Sequence, residues 1–499
     1  MAAANDGPCY YSMGADTLRV CRRELHGGAR AEVVRRMRDA GGARGIVLLK
    51  GGDVLPVYAT DGEILFRQDA YFHYLFGVME EGFWGAVDTR DGKATLFMPR
   101  LPESYGVWMG ELHGPDYYKA KYAVDAVAYV DEMAATLKAA SPPCLHVLSG
   151  TNTDSGTAVA PPPAFEGQEE AGFEFEAGAL FPAITEARVH KSKAEVEVLR
   201  YANKLASRAH VAMMEIARPG KYEYQLESLF RHLTYSQGGC RNQGYTCIAA
   251  SGPNAAVLHY GHAAAPNDRQ LAGGDIVLLD MGCEYHRYTS DITTSFPADG
   301  KFTPDQRVVY DAVLDAHQSV IGAMKPGVAW SDMQTLAYRK ILSGLKAGGI
   351  LRGEVEEMLE AELGGVFMPH GLGHFLGLDT HDVGGYGEGF PERIQRPGYR
   401  SLRTARALEP GMVITVEPGC YFIKLLIQPA LQDPARAKFL NAEALARFMD
   451  FGGVRLEDNV LVTERGAESL TDVPRTAADV EAVMAGAPWP PARGKRPAA

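Results

Sequence analysis

A twelve-residue pattern recurs in this chain and limits the folds open to it. Leu271-Ala-Gly-Gly-Asp-Ile-Val-Leu-Leu-Asp280-Met-Gly282 aligns without gaps on Leu408-Glu-Pro-Gly-Met-Val-Ile-Thr-Val-Glu417-Pro-Gly419. In both copies an apolar run, read as a strand, ends in a carboxylate two residues before a glycine. Helical patterns precede each copy. One closes at Arg218-Pro219-Gly220 and another at Lys325-Pro326-Gly327. Each is followed by a further helical pattern, the second opening with Ser331-Asp-Met-Gln334, which reads as a capping box. A duplicated unit with two-fold pseudosymmetry brings the two carboxylates to one central place.

The duplicated part is preceded by a different kind of sequence. Residues 1–189 read as a smaller mixed α/β domain. Its β-rich runs are at 45–50, 74–78, 82–88 and 94–98, with a helical segment at 130–139. Residues 149–172, rich in Gly, Pro, Thr and Ala, read as a loop. The boundary falls where Ser192-Lys-Ala-Glu195 forms a capping box. Behind it Val198, Leu199, Ala202, Leu205, Ala206, Ala209, Met213 and Ile216 keep helical spacing. The second domain spans 190–486, and residues 487–499, with Pro488-Trp-Pro-Pro491, are expected to be a disordered tail. The fold class is α+β.

Composition narrows the function. Among 499 residues there are 50 Lys and Arg against 62 Asp and Glu, a net charge of −12. That excess of acid disfavours nucleic acid and anionic lipid as partners, since both are bound through basic residues. No apolar stretch approaches the roughly 20 residues needed to cross a bilayer. The start, Met1-Ala-Ala-Ala-Asn5-Asp6, lacks the basic and apolar regions of a secretory signal. The seven cysteines (Cys9, Cys21, Cys144, Cys240, Cys247, Cys283, Cys420) are scattered without a CxxC. Free thiols in a cytoplasmic protein are expected.

The acidic residues at the strand ends carry the chemistry. Asp291 lies on the run 288–296; in a hairpin centred on Tyr285-His286 it faces Asp280. Opposed side chains have Cβ atoms roughly 5 Å apart, close enough for two carboxylates to repel. Glu417, and Glu457 in Gly-Gly-Val-Arg455-Leu-Glu457, sit in similar apolar runs. Two readings are open. The acids are separately solvated at strand ends, or they converge on cations, where four carboxylates balance two divalent ions. A histidine extends the set. His370-Gly-Leu-Gly-His374-Phe-Leu-Gly377 is dense in glycine, and His381 follows. The glycine spacing is wrong for a dinucleotide loop, and no Gly-Lys-Ser/Thr, His-Glu-x-x-His or Gly-x-Ser-x-Gly is present. Oxygen donors with one imidazole suit Mn²⁺, with Co²⁺ and Zn²⁺ as alternatives; structural zinc would want Cys or several His.

The set Asp280, Asp291, His374, Glu417 and Glu457 resembles the five metal ligands of the pita-bread metallopeptidases, the fold of methionine aminopeptidase, aminopeptidase P and prolidase. The chain is most similar to the eukaryotic prolidase (Xaa-Pro dipeptidase) branch, from about residue 10 to about 485. Stretches that carry the likeness include Phe66-Arg-Gln-Asp69, Trp108-Met-Gly110, Lys121-Tyr-Ala-Val-Asp125, Asn152-Thr-Asp-Ser155 and Leu258-His-Tyr-Gly-His262. Ser290-Asp-Ile-Thr293, Ser401-Leu-Arg-Thr-Ala-Arg406 and Val416-Glu-Pro-Gly419 extend it.

The resemblance implies a C-terminal pita-bread domain behind an aminopeptidase P/creatinase-like N-terminal domain, in a homodimer. In the family's dimer the partner's N-terminal domain helps to close the site, and Trp108 lies in the corresponding segment. It implies two divalent ions per subunit, taken as Mn²⁺, and hydrolysis of Xaa-Pro dipeptides by a metal-bridged hydroxide. Xaa-hydroxyproline dipeptides are a further candidate substrate, and proline recycling is the implied role. Glu417 would bind metal and shuttle the proton. His381 would steady the oxyanion, and His259 would stand near the substrate. Arg403 would bind the substrate's C-terminal carboxylate with paired donors, and Tyr245 and Arg455 are further pocket candidates. Cys283, His286 and Lys424 depart from the family pattern and bear on metal access or substrate tolerance. The rival readings are aminopeptidase P-like removal of residues before proline from longer peptides, and a non-catalytic pita-bread binding protein.

Overall fold

The structure is a computed structural model that describes residues 9–41, 44–262 and 267–491. The N-terminal stretch read for a signal and residues 492–499 of the expected tail lie outside the described residues. The rest of that tail, residues 487–491, is anchored. The Trp489 indole N–H donates to the Asp472 carbonyl and to its Oδ1, both at 3.2 Å. The chain divides into two compact units between Glu195 and Val196.

The first unit is built on a six-stranded sheet. Its strands are β1 (Ile46–Lys50), β2 (Trp84–Asp88), β3 (Ala94–Met98), β4 (Ala126–Tyr129), β5 (Leu145–Val147) and β6 (Phe175–Glu176), in the spatial order β6-β5-β1-β2-β3-β4. The β1–β2 and β2–β3 pairs are antiparallel and the other three are parallel. Alternate residues supply one face of the core, with Ile46 and Leu48 packing beside Trp84, Ala86 and Phe97 and the helical Met133 and Leu137; this is the period-two pattern of a strand.

Helix α1 (Arg22–Asp39) and helix α2 (Ala70–Phe76) also belong to this unit. The run at 74–78, expected as a strand, therefore falls in and just after α2. The Asp69 side chain accepts from the Phe72 N–H at 2.8 Å and caps the helix start. Gly77, at φ 64°, closes the helix in the left-handed region. All seven residues of α2 are buried, so its apolar pattern has no period to distinguish helix from strand.

The second unit contains the duplication. Helix α3 (Lys193–Ile216) opens with the expected reciprocal box: the Ser192 N–H donates to Glu195 Oε2 at 2.8 Å, and the Glu195 N–H to Ser192 Oγ at 3.3 Å. Helix α4 (Glu223–Gly238) follows. Helices α5 (Pro304–Ala323) and α6 (Trp330–Ala347) stand in the same order before the second repeat strand. Equivalent backbone bonds tie each helix pair to its strand. The Gly220 N–H donates to the Leu271 carbonyl at 2.9 Å, and the Gly327 N–H to the Leu408 carbonyl at 2.8 Å. In return the N–H groups of Leu271 and Leu408 donate to Lys221 and Val328, each at 2.8 Å.

The first half pairs β7 (Ile248–Ser251), β8 (Ile276–Asp280) and β11 (Thr293–Pro297) in an antiparallel sheet. Between β8 and β11 runs a hairpin of β9 (Cys283–Tyr285) and β10 (Tyr288–Thr289). The second half pairs β12 (Val413–Val416) with β15 (Asp458–Val462) and β16 (Ala467–Ser469), and β13 (Gly419–Tyr421) with β14 (Gly453–Arg455).

Two expectations are corrected here. The hairpin turns at His286 and Arg287, both at positive φ (47° and 68°), with Tyr285 opposite Tyr288; two positive-φ residues make the turn that suits strand twist. The register is thus one residue later than expected, and Asp280 lies opposite Thr293 rather than Asp291. Nor does Gln334 complete a capping box. Helix α6 starts at Trp330, its Ala329 cap makes no side-chain bond, and the Gln334 amide turns inward.

Candidate metal centre

The two repeat strands end at the same place. Asp280 is the last residue of β8, and Glu417 follows β12 directly. Across from Glu417 the register is fixed on either side by Val416 opposite Asp458 and Gly419 opposite Arg455. Glu457 is therefore the residue facing Glu417, while in the first half Asp280 and Asp291 come close without being opposed, both reaching the Tyr245 hydroxyl.

Two glycines beside the centre, Gly282 and Gly373, allow the close approach that this requires. A Cβ on Gly282 would lie 1.7 Å from the Ser290 carbonyl oxygen, so only glycine lets β8 and the strand of Asp291 meet there. The same holds for Gly373, where a Cβ would lie 1.9 Å from the Thr415 carbonyl oxygen. The glycine-rich segment 370–377 accordingly lies along β12. The Thr415 N–H donates to the His374 carbonyl at 2.9 Å, the Glu417 N–H to the Leu372 carbonyl at 2.8 Å, and the His374 N–H to Thr415 Oγ1 at 3.0 Å.

These elements bring the five predicted ligands together. Donor atoms of Asp291, His374 and Glu457 lie within 4.8 Å of one another. His374 Nδ1–H donates to the Phe375 carbonyl at 3.0 Å, which turns Nε2 toward the carboxylates. That Nε2 lies 3.4 Å from Asp291 Oδ2 and 3.5 Å from Glu417 Oε1. Tyr245 joins the fourth carboxylate, with its hydroxyl 2.5 Å from Asp280 Oδ1 and 2.5 Å from Asp291 Oδ1. Arg455 donates to Asp280 Oδ2 at 2.6 Å, and Thr293 Oγ1 donates to Glu457 Oε2 at 2.7 Å.

Asp280, Asp291 and Glu457 are buried here with Glu417 half-buried beside them, and among the described residues the guanidinium that bonds one of these carboxylates is that of Arg455. Burial pushes Glu457 well above the ordinary carboxyl range, and the charges of Asp291, Glu417 and Asp280 push it further. Burial brings Glu417 up to about 7, opposed by His374 and Arg455, and raises Asp291 too. Burial alone would lower His374, but its bond to Asp291 and the charge of Glu417 raise it. This is negative charge in excess of what the side chains can neutralise. Oxygen-rich donors with one available imidazole nitrogen fit divalent cations of hard or borderline type.

The remaining predicted residues divide by support. His381 stacks edge-on against His374 at 4.4 Å between ring centres. Burial depresses its pKa strongly, as do the positive charges of His374, Arg403 and His259, so the imidazole is neutral. His259 is exposed on the segment after β7, within electrostatic reach of Arg455, Asp280 and Arg403. Arg403 is half-buried in the same neighbourhood. Trp108 is 84 % exposed, between Val107 and Met109, which are also exposed. Of the departures, Cys283 and His286 are buried in the hairpin, and Lys424 ion-pairs Asp450 at 2.8 Å on the surface.

Sequence reasoning missed several residues around the centre. Tyr421 accepts from Arg455 at 2.8 Å and donates to His370 Nε2 at 2.9 Å, since His370 Nδ1–H donates to Gly371 O. The Asn459 side chain brackets the Asp291 backbone, accepting from its N–H at 2.8 Å and donating to its carbonyl. Both sit one or two residues beyond a predicted strand residue, where only a known register would single them out.

Comparison with known proteins agrees with this arrangement. The profile of Metallopeptidase family M24 matches residues 197–464, and that of the Aminopeptidase P, N-terminal domain, matches 26–145. The human Xaa-Pro dipeptidase is 54% identical over 488 residues, covering 97% of this chain and 98% of that protein. A probable Xaa-Pro aminopeptidase of Verticillium alfalfae is 38% identical over 442 residues, 88% of this chain and 92% of that one. The structure of Pseudomonas aeruginosa aminopeptidase PepP superposes with a TM-score of 0.74 at 31% identity, over 93% of this chain and 98% of that one. The chain belongs to metallopeptidase family M24.

Proposed function

We propose that this protein is a Xaa-Pro dipeptidase, a metal-dependent hydrolase that cleaves dipeptides ending in proline, with Xaa-hydroxyproline as a further substrate. The observation that carries the reading is the convergence of Asp280, Asp291, His374, Glu417 and Glu457 at the ends of the two repeat strands. It is supported by 54% identity to the human Xaa-Pro dipeptidase over almost the whole of both chains. Residues 190–486 form the catalytic domain and 1–189 the N-terminal domain.

The five side chains would hold two divalent ions, Mn²⁺ being the choice for this donor set. When bound, such ions lower the pKa of water and polarise a carbonyl oxygen. The chain's own residues do the rest. Glu417, reaching the centre beside His374, takes and returns the proton. The neutral His381 donates to the oxygen that gains charge during attack, as a preorganised donor. Arg403 offers paired N–H groups to the C-terminal carboxylate of the substrate, which sets its length. His259, Tyr245 and Arg455 line the approach. A tertiary Xaa-Pro amide has no N–H to grip, so holding the substrate by its carboxylate suits it. The protein acts in the cytoplasm as a homodimer, in which the exposed Val107-Trp108-Met109 segment meets the partner.

Hydrolysis of Gly-Pro and of Gly-Pro-Xaa tripeptides with Mn²⁺ tests the reading. Preferred cleavage of Gly-Pro is expected. Equal rates on both would make the protein an aminopeptidase P, and no hydrolysis of either would leave a binding protein.

A further inference from the structure

The misread helix start shows what Gln334 does instead. Trp330 and Gln334 stand one turn apart on α6, and both are completely buried. Their polar atoms address consecutive backbone groups of the glycine-rich segment. Gln334 Nε2 donates to the His370 carbonyl at 3.3 Å, and its Oε1 accepts from the Leu372 N–H at 2.6 Å. Trp330 Nε1 donates to the Gly373 carbonyl at 3.2 Å. The Leu372 carbonyl in turn accepts from the Glu417 N–H at 2.8 Å. The Leu372 residue is thus held by Gln334 through its N–H and by Glu417 through its oxygen. The very next residues are Gly373 and His374.

A segment with glycine at 371, 373 and 377 has little stiffness of its own. It cannot by itself hold an imidazole to the few tenths of an ångström that a coordination site needs. Its side toward β12 is fixed by backbone bonds. Around residues 372–373 its other side is held by α6. The three bonds come from the first turns of a helix whose preceding Gly327 bonds Leu408 at the start of the second repeat.

We propose that Trp330 and Gln334 are positioning residues that set the place of His374, and through Leu372 that of Glu417, so that the metal affinity of the centre depends on them. The proposal rests on the metal-centre reading above. Neither residue touches substrate or ion; they act through the backbone of 370–374.

Gln334→Met keeps the length of the side chain and removes both amide bonds. Trp330→Phe keeps most of the ring and removes one donor. Leu342→Val shortens another fully buried side chain of α6 that the bracket does not use, and serves as the stability control. Each metal-freed protein is titrated with Co²⁺, following the visible absorption band and the stoichiometry, and with Mn²⁺, following free Mn²⁺ by electron spin resonance. Melting of the metal-free proteins is recorded alongside. Gln334→Met is expected to weaken Mn²⁺ binding at least tenfold and to shift or weaken the Co²⁺ band; Trp330→Phe should do the same to a smaller degree. Leu342→Val should lower the melting temperature without changing either metal readout. If Gln334→Met does not fold, Trp330→Phe alone decides. Unchanged affinity and an unchanged band in the variants, or an equal loss in Leu342→Val, would overturn the proposal. Failure of the wild-type protein to bind Co²⁺ or Mn²⁺ would instead refute the metal-centre reading itself.

Discussion

Replacing Gly373 by alanine is a stringent test of how the centre is built. The new Cβ would lie 1.9 Å from the Thr415 carbonyl oxygen and 2.9 Å from its Oγ1. A tolerable carbon–oxygen contact is about 3.3 Å, so the segment must move from β12 by about 1.4 Å. Three bonds span that gap: Thr415 N–H to His374 O at 2.9 Å, Glu417 N–H to Leu372 O at 2.8 Å, and His374 N–H to Thr415 Oγ1 at 3.0 Å. An opening of that size breaks all three. Each is worth about 1 kcal/mol net and up to ~3 kcal/mol where a buried group is left unpaired, so the cost is roughly 3–9 kcal/mol. At about 2–4 °C per kcal/mol for a unit of this size, the metal-free protein should melt lower by roughly 10 °C or more. His374 moves with the segment, and metal binding should weaken in the same variant. Gly322→Ala is the control. A Cβ there meets nothing within 4 Å, and its position in α5 favours alanine by about 0.5 kcal/mol. Calorimetry and metal titration of both variants decide the matter. A Gly373→Ala protein that melts within about 2 °C of wild type and binds metal normally would show that the close packing is not what holds the centre.

Other expectations follow from single contacts. Asp291→Asn removes a carboxylate whose oxygens face both His374 and Tyr245; bound metal should fall and hydrolysis of Gly-Pro drop by at least about a hundredfold, as elemental analysis and a proline assay would read. Arg403→Ala should raise KM for Gly-Pro at least tenfold, a loss of about 1.4 kcal/mol, and narrow the preference over Gly-Pro-Xaa; an unchanged KM would remove Arg403 from the substrate site. His210 is buried between Thr294 Oγ1 and the Met281 carbonyl, each at 3.0 Å, and burial takes its pKa from 6.5 to about 4. Its folded value lies below the unfolded one. Its contribution is therefore complete above about pH 6.5 and is lost as pH falls toward 4. Urea unfolding at pH 7 and pH 4.5 should show wild type losing roughly 2 kcal/mol more than His210→Gln, and parallel losses would refute this. Asp69→Ala removes the cap of α2 and should cost about 1 kcal/mol with kcat unchanged.

The residues that gather at the candidate centre were more legible in the sequence than the local fold around them. The repeat of strand, carboxylate and glycine was legible because Asp280-x-Gly282 and Glu417-x-Gly419 mark points with no room for a side chain: at Gly282 the Ser290 backbone stands against the Cα, and at Gly419 the Tyr421 ring does. The capping box at Ser192 was legible because both its bonds are local. The one at Ser331 misled, because Gln334 has backbone partners 36 and 38 residues away that no short-range rule can see. The run 74–78 misled for a related reason: α2 is buried on every side, and burial erases periodicity. The hairpin register depended on which two residues took positive φ, and neither His286 nor Arg287 advertises that preference. Tyr421 and Asn459 were missed because their partners, Arg455 and Asp291, are distant in sequence.

The two halves of the second unit contribute unequally to the centre, Asp280 and Asp291 from the first and His374, Glu417 and Glu457 from the second. In the proposed centre an ion would draw donors from both halves, so its full set of ligands would form only when both have folded and met. Chelation should then loosen this seam before it loosens either sheet, and a nascent chain would complete the site only once Glu457 has been made.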